Sequence, residues 1–398
     1  MSSRSATSAI LVMVASVAMA GCAVFAPMQG PAYPPLVLDW SQSLYDLEPF
    51  PYHPREEGRA TFLKGEMTPA EGLVVVPSKD RQVRGFEAHT GRELWKATTK
   101  GPNVAAPVVV GEDLLVASLD GHVYRLHQRN GRVVWDSGSL GKGALYREPV
   151  VADGRVFVTG DDDRVTALSL ADGSRLWDRD RPLLRSSSVV SRVTGHAGVA
   201  LSDKKVVTGF SDGRLMAFDV SDGATLWTLD LSGGQTDFVD VDSTPLLTSD
   251  GLVIVSSYAT GLYGVDVSSG AIAWRMPGRG FGDAVLYEGT LYVSRTRLPE
   301  AERKANQRDA ASVMAVDAGT GELRWTLSVG ETTPTRPAVS AKYLLVPVNS
   351  ALLVVDRGSG RALRQYDDKY GFSATPHVAW GTVYALANSG IMYAFGLY

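Results

Sequence analysis

The sequence predicts an all-β protein: an eight-bladed β-propeller of four-stranded antiparallel blades, its ring closed by an N-terminal strand. Three observations predict it. A Gly-x-x-x-Trp phrase recurs six times, and a seventh copy keeps its Gly, with 39 to 51 residues between successive glycines. Each phrase follows alternating apolar stretches of strand length, which is the pattern of one propeller blade per repeat. Finally, the C-terminal stretch SATPHVAWGTVYALANSGIMYAFGLY supplies three strands and no Trp-bearing fourth, whereas LVLDWSQSL near the start supplies one such strand with no partners.

Composition bounds the reading. The chain has 398 residues, 44% hydrophobic and 21% charged, with a formal net charge of −4. That balance fits a packed globular protein and gives no electrostatic footprint for nucleic acid. One Cys cannot close an intramolecular disulfide, and six scattered His with no Cys partners offer no zinc spacing.

In chain order, the first element is an address. Arg4 precedes an apolar run, AILVMVASVAMA from Ala9 to Ala20. The run is short for a spanning helix, which needs ~20 apolar residues, but has the length of a secretory h-region. It ends Met19-Ala20-Gly21-Cys22, and Cys22 is the sole cysteine. This resembles a bacterial lipobox, which implies a signal peptide over residues 1–21 and a lipidated Cys22 as the first mature residue. Ala23 follows where an Asp would favour the inner membrane, so the resemblance implies the outer membrane. Residues 22–35, CAVFAPMQGPAYPP, read as the lipidated Cys and a Pro-rich tether. The propeller is expected over 36–398.

The phrases follow: Gly91 with Trp95, Gly131 with Trp135, Gly173 with Trp177, Gly223 with Trp227, Gly270 with Trp274 and Gly321 with Trp325. Each reads as a hairpin. In the fourth, Leu215, Ala217 and Asp219 alternate along a strand, Ser221-Asp222-Gly223 supply the turn, and a further strand carries Trp227. The tryptophans are expected to pack between blades, with Trp40 as the seventh of the ring and Trp380 outside it. The seventh copy has Arg364 in the Trp position after Gly360, and a weak junction is expected there. Lettering the strands A to D, the D–A and B–C loops share one face. The long D–A loops 178–187 and 228–241 and the charged B–C insertion Arg295–Ala310 all fall on it, and long clustered loops mark a binding face.

Catalytic signals are sparse. The sequence contains no Gly-x-Ser-x-Gly and no His-Glu-x-x-His. Asp161-Asp162-Asp163 offers carboxylates of a calcium type, but stands where a blade needs a polar turn. His122 and His127, five apart in a strand region, point to opposite sheet faces. The repeat resembles that of quinoprotein dehydrogenases, which imply a pyrroloquinoline quinone, a calcium site and commonly a pair of adjacent cysteines. With Cys22 alone that pair cannot form, and no cofactor is expected.

Leader, tether and eight-bladed repeat together resemble the BamB family, lipoproteins of the outer-membrane β-barrel assembly machinery, over essentially the whole chain. Two loops carry the more specific resemblance. The family's Leu-Arg pair after the third Trp corresponds to Leu184-Arg185 in Pro182-Leu183-Leu184-Arg185-Ser186. Its Asp-x-Asp before Thr-Thr-Pro corresponds to Asp240-Val241-Asp242-Ser243-Thr244-Pro245, with Ser243 in place of the first Thr. The resemblance implies a non-catalytic periplasmic scaffold, monomeric within a hetero-complex, that binds the periplasmic domains of a BamA-type protein through Leu184, Arg185, Asp240 and Asp242. Physically, Arg beside Leu is an anchor with an apolar rim, and the two carboxylates could hold that Arg or take a basic partner residue. Three alternatives stay open at this point: an internal pair of Arg185 with Asp240 or Asp242, a propeller that binds another envelope protein or a glycan, and, behind these, a quinoprotein dehydrogenase.

Overall fold

Alternating side chains fold each repeat into a four-stranded meander, and eight meanders arranged around an axis make the ring. The computed structural model describes residues 35–44, 61–62, 72–180, 197–235, 239–296 and 310–398, and every regular element among them is a strand. Eight antiparallel four-stranded sheets result. Blades 1 to 7 occupy residues 61–98, 108–136, 150–180, 199–230, 246–277, 281–330 and 338–367, each in strand order A-B-C-D. Blade 8 takes its A, B and C strands from His377–Ala379, Thr382–Leu386 and Ile391–Leu397, and its D strand from Leu36–Ser43. This N-terminal strand runs antiparallel to the last one, from Leu36 opposite Leu397 to Ser43 opposite Ile391. A strands of successive blades touch at six of the eight junctions and so line the axis, leaving the D strands at the rim.

The core lies between blades. Central strands B and C are mostly buried, the B strands Leu73–Pro77 and Leu252–Ser257 along their whole length, and clusters join neighbouring sheets. D strands alternate between buried and exposed side chains, as in Glu93–Thr98, and most of them leave large apolar side chains exposed at the rim, such as Leu94, Leu176 and Leu226.

The Gly-x-x-x-Trp phrase acts across blades. Each Trp lies over the turn glycine of the following blade: Trp40 on Gly91, Trp95 on Gly131, Trp135 on Gly173, Trp177 on Gly223, Trp227 on Gly270, Trp274 on Gly321 and Trp325 on Gly360. At Gly223 the demand is double. Its φ is +73°, and a Cβ there would stand 2.7 Å from the Trp177 ring. Six of these seven indoles also donate to the carbonyl three residues before that glycine, at 3.0–3.1 Å. Room for the indole comes from the residue opposite it on strand C, a Gly or Ala in six of seven cases, from Gly85 opposite Trp95 to Ala394 opposite Trp40.

Arg364 then has a physical reason. Its blade is followed by blade 8, whose C and D strands come from opposite ends of the chain and share no turn. A Trp there would have no turn glycine to cover. Instead Arg364 is exposed, and tyrosines make the link: Tyr366 donates to the Leu36 carbonyl and its ring tilts against Phe395 at 4.9 Å, while Tyr343 donates to the Tyr398 carbonyl at 3.0 Å. Trp380 is 40% exposed, in the turn between the A and B strands of blade 8.

Candidate functional site: the axial mouth of the D–A face

Every D–A connection ends where an A strand starts, so these connections converge on the axis at one face. The connection from blade 2 to blade 3 delivers Arg147 and Glu148 immediately before strand Val150–Ala152. The connection from blade 4 to blade 5 delivers Asp240 and Asp242 ahead of Leu246–Leu247. In blade 6 the register slips between Phe281 and Ala284, and this irregularity frees Asp283 from the ladder.

Arg147 reaches across the mouth. One of its terminal nitrogens donates to the Asp283 carboxylate at 2.7 Å, and the other donates to the backbone carbonyl of Asp242, also at 2.7 Å. Blade 3 is thereby tied to blades 5 and 6 through the axis. The Arg147 and Asp283 side chains are only 10% and 14% exposed, so neither could be left without its partner at small cost. The second Asp283 oxygen accepts the Thr244 N–H at 3.3 Å. Next to Arg147, Glu148 pairs with Arg336 of the connection into blade 7 at 3.6 Å. Blades 3 and 7 stand opposite one another in a ring of eight.

The 239–245 segment is sewn to its surroundings. Val241 donates its N–H to Phe210 at 3.2 Å, Ser243 accepts the Ser256 N–H at 2.9 Å, and Ser257 donates to the Val239 carbonyl at 3.3 Å. Gly209 admits this backbone, since a Cβ there would lie 2.2 Å from the Val241 carbonyl oxygen. Asp240 is 5% exposed, and burial pushes its carboxyl upward. Asp242 is pushed up to about 7, first by burial and then by the Asp240 and Asp283 carboxylates, against the opposing pull of Arg147.

A pH dependence follows with a definite sign. Asp242 holds its proton more tightly folded than unfolded, where a carboxyl titrates near 3.9. Its ionisation therefore costs stability progressively as pH rises from about 4 to about 7. The groups facing it are Asp240, Asp283 and Arg147, with Glu148 alongside, so the carboxylates titrate as a set. Asp242→Asn is expected to stabilise the protein at pH 8 by an amount on the order of 1–3 kcal/mol and to flatten the fall in melting temperature between pH 5 and 8. An unchanged pH profile in that variant would contradict the assignment.

The other sequence-derived residues are placed as follows. Leu184 and Arg185 lie outside the described residues, as does Cys22 with the leader and most of the tether. The chain leaves blade 3 at Asp180 and re-enters blade 4 at Val199, between a D and an A strand and so on this same face. The 295–310 insertion also lies outside, apart from its first two residues and its last, and joins the B and C strands of blade 6. Asp161-Asp162-Asp163 forms the turn between Arg155–Gly160 and Arg164–Ser169, where Asp161 accepts the Ala144 N–H and Asp163 the Ser211 N–H. His122 pairs with Asp136 at 2.7 Å. Among the described residues no three His, Cys, Asp or Glu side chains converge as metal ligands.

Sequence reasoning missed Arg147, Glu148, Asp283 and Arg336. A signal existed for two of them: Pro stands immediately before five of the eight A strands, and in Arg-Glu-Pro149 and Thr-Arg-Pro337 a charged residue precedes it. Asp283 carries no such mark, because the Pro position there is Ala284.

The comparisons with known proteins agree with this architecture. The sequence model of the family described as outer membrane protein assembly factor BamB matches residues 39–145, 137–308 and 309–396. The BamB of Yersinia pestis is 27% identical over 345 residues, 84% of this chain and 72% of that protein. The BamB of Shewanella oneidensis is 25% identical over 81% of this chain and 82% of its own length. Among solved structures, BamB from Moraxella catarrhalis superposes with a TM-score of 0.71 at 18% identity, over 91% of this chain and 100% of that one. A europium-containing methanol dehydrogenase reaches a TM-score of 0.70 at 13% identity, covering 91% of this chain and 93% of that one, a likeness of fold alone.

Proposed function

The chain belongs to the BamB family of outer membrane protein assembly factors, and from that premise we propose that it is a non-catalytic scaffold of the β-barrel assembly complex. In this reading Cys22 carries lipid that holds the protein at the periplasmic side of the outer membrane. The D–A face docks on the periplasmic domains of a BamA-type protein and so assists insertion of outer-membrane proteins.

The observation that carries the reading is the construction of the D–A face. The 239–245 segment bearing Asp240 and Asp242 is fixed by hydrogen bonds to blades 4, 5 and 6 and by Arg147 from blade 3. A docking surface gains affinity when its backbone is already in the bound arrangement, because less ordering entropy is lost on association. The Leu184-Arg185 connection leaves and returns on the same face, which supports a two-loop contact with an Arg anchor. Asp240 is buried beneath this surface, so its role is to shape the loop, leaving Leu184, Arg185 and the more accessible Asp242 for contact.

Copurification from detergent-solubilised envelopes, with identification by mass spectrometry, tests the reading. Wild type is expected to bring down a BamA-type protein; Arg185→Ala is expected to bring down less at unchanged melting temperature, and Asp240→Asn less through a reshaped 239–245 segment. Absence of any such protein from the wild-type preparation, with another envelope component retained, would leave the fold and sink the function.

A further inference from the structure

We propose that Arg147 is a positioning residue for docking: a staple from another blade that sets the 239–245 segment in its binding arrangement across the axial mouth. The docking role of that segment rests on the reading above; the staple itself rests on geometry alone.

The geometry has three parts. First, Arg147 belongs to blade 3 and is separated in sequence from Asp242 by 95 residues and from Asp283 by 136, so its contacts do not serve its own hairpin. Second, the guanidinium divides its donors between a backbone acceptor of the segment and a carboxylate that itself accepts the segment's Thr244 N–H. Arg147 and Asp283 thus grip Asp242 and Thr244 from two sides. A planar fork with fixed donor directions suits such a double contact, whereas a lysine ammonium would satisfy one side only. Third, the neighbouring Glu148 reaches Arg336 from the same connection. The two adjacent residues therefore brace the mouth toward blades 5, 6 and 7 at once. A cation at this position that served only to neutralise Asp283 would not need the Asp242 carbonyl.

Nothing in the docking loops themselves would reveal such a residue. It makes no partner contact in this proposal; it acts by keeping the 239–245 backbone in the arrangement that presents Asp242.

The test uses the full chain with Arg147→Ala and Arg147→Lys, followed by hydrogen exchange and by copurification of the BamA-type partner. In Arg147→Ala the Val241 and Thr244 amides are expected to exchange about tenfold faster or more, the loss that fits one charge-assisted contact. The strand amides of Arg164–Ser169 should stay protected, and partner recovery should fall. Arg147→Lys should lie between wild type and Arg147→Ala in both readouts, and it serves as the reporting variant if the alanine protein does not fold. Unchanged exchange over 239–245 would overturn the staple. Faster exchange with undiminished partner recovery would overturn its positioning role. A wild type that recovers no partner would overturn the docking premise, and with it the positioning role, while the exchange result would still decide the staple.

Discussion

Trp177→Ala is expected to lower the unfolding free energy by ~3–5 kcal/mol, the range for removing a buried Trp. The indole is 7% exposed, lies over Gly223 of the next blade, and donates its N–H to the Val220 carbonyl at 3.0 Å. Phe157 tilts against it at 5.9 Å and the Arg179 guanidinium stands 5.9 Å from its centroid, while Arg179 also donates to the Gly223 carbonyl at 2.9 Å. Truncation therefore removes apolar burial, one hydrogen bond and the support of a second inter-blade contact, and it leaves a void that two rigid sheets cannot close. Urea unfolding followed by circular dichroism measures the loss. Trp380→Ala is the matched control: a side chain of equal size, 40% exposed and outside the ring, whose removal should cost under ~1 kcal/mol. Equal losses in the two variants would mean that the ring tryptophans are not the junctions between blades.

How much of this was legible in the sequence depends on how local each feature is. The phrase around Gly223 and Trp227 could be read because turn and strand lie within one hairpin and repeat in register. Its meaning across blades could not, because the residue that requires Gly223 is Trp177, a full repeat upstream. Arg364 looked like a defect for the same reason. Only the closed ring reveals that no turn glycine follows it. The docking residues divide likewise. Asp240 and Asp242 stood out as a spaced pair, but spacing does not tell a buried carboxylate from an exposed one, and Asp240 turns out to be buried. Arg147 and Asp283 were invisible because their pairing is made by eight sheets meeting at an axis, 136 residues apart along the chain. Periodicity encodes which face of a strand is buried; it holds no record of which strand starts face one another across a channel.

Removal of Leu36–Ser43 should have a still larger effect than the loss of any one ring Trp, because that strand makes two junctions. On one side, Leu36 is 1% exposed within the cluster that holds Phe395, Leu345 and Val354 of blades 8 and 7, and its carbonyl accepts from Tyr366. On the other, Trp40 covers Gly91 and donates to the Ala88 carbonyl of blade 1 at 3.0 Å. The packing of the half-buried Trp40 and of the buried Leu36, the latter alone worth roughly 2–5 kcal/mol, would be lost together with the whole ladder against Ile391–Leu397. The exposed C strand would then become an unpaired edge, which is prone to associate with other chains. The deletant is expected to unfold at lower urea, with a shallower and multiphasic transition, and to self-associate on size-exclusion chromatography. Adding the peptide LVLDWSQSL in excess should restore part of the midpoint, since the vacated ladder can take back its own strand. The same peptide with Trp40→Ala should restore less, because the Gly91 seat stays empty. A deletant as cooperative and as stable as the full chain would mean that blade 8 is complete with three strands, and that the N-terminal segment lies on the ring without closing it.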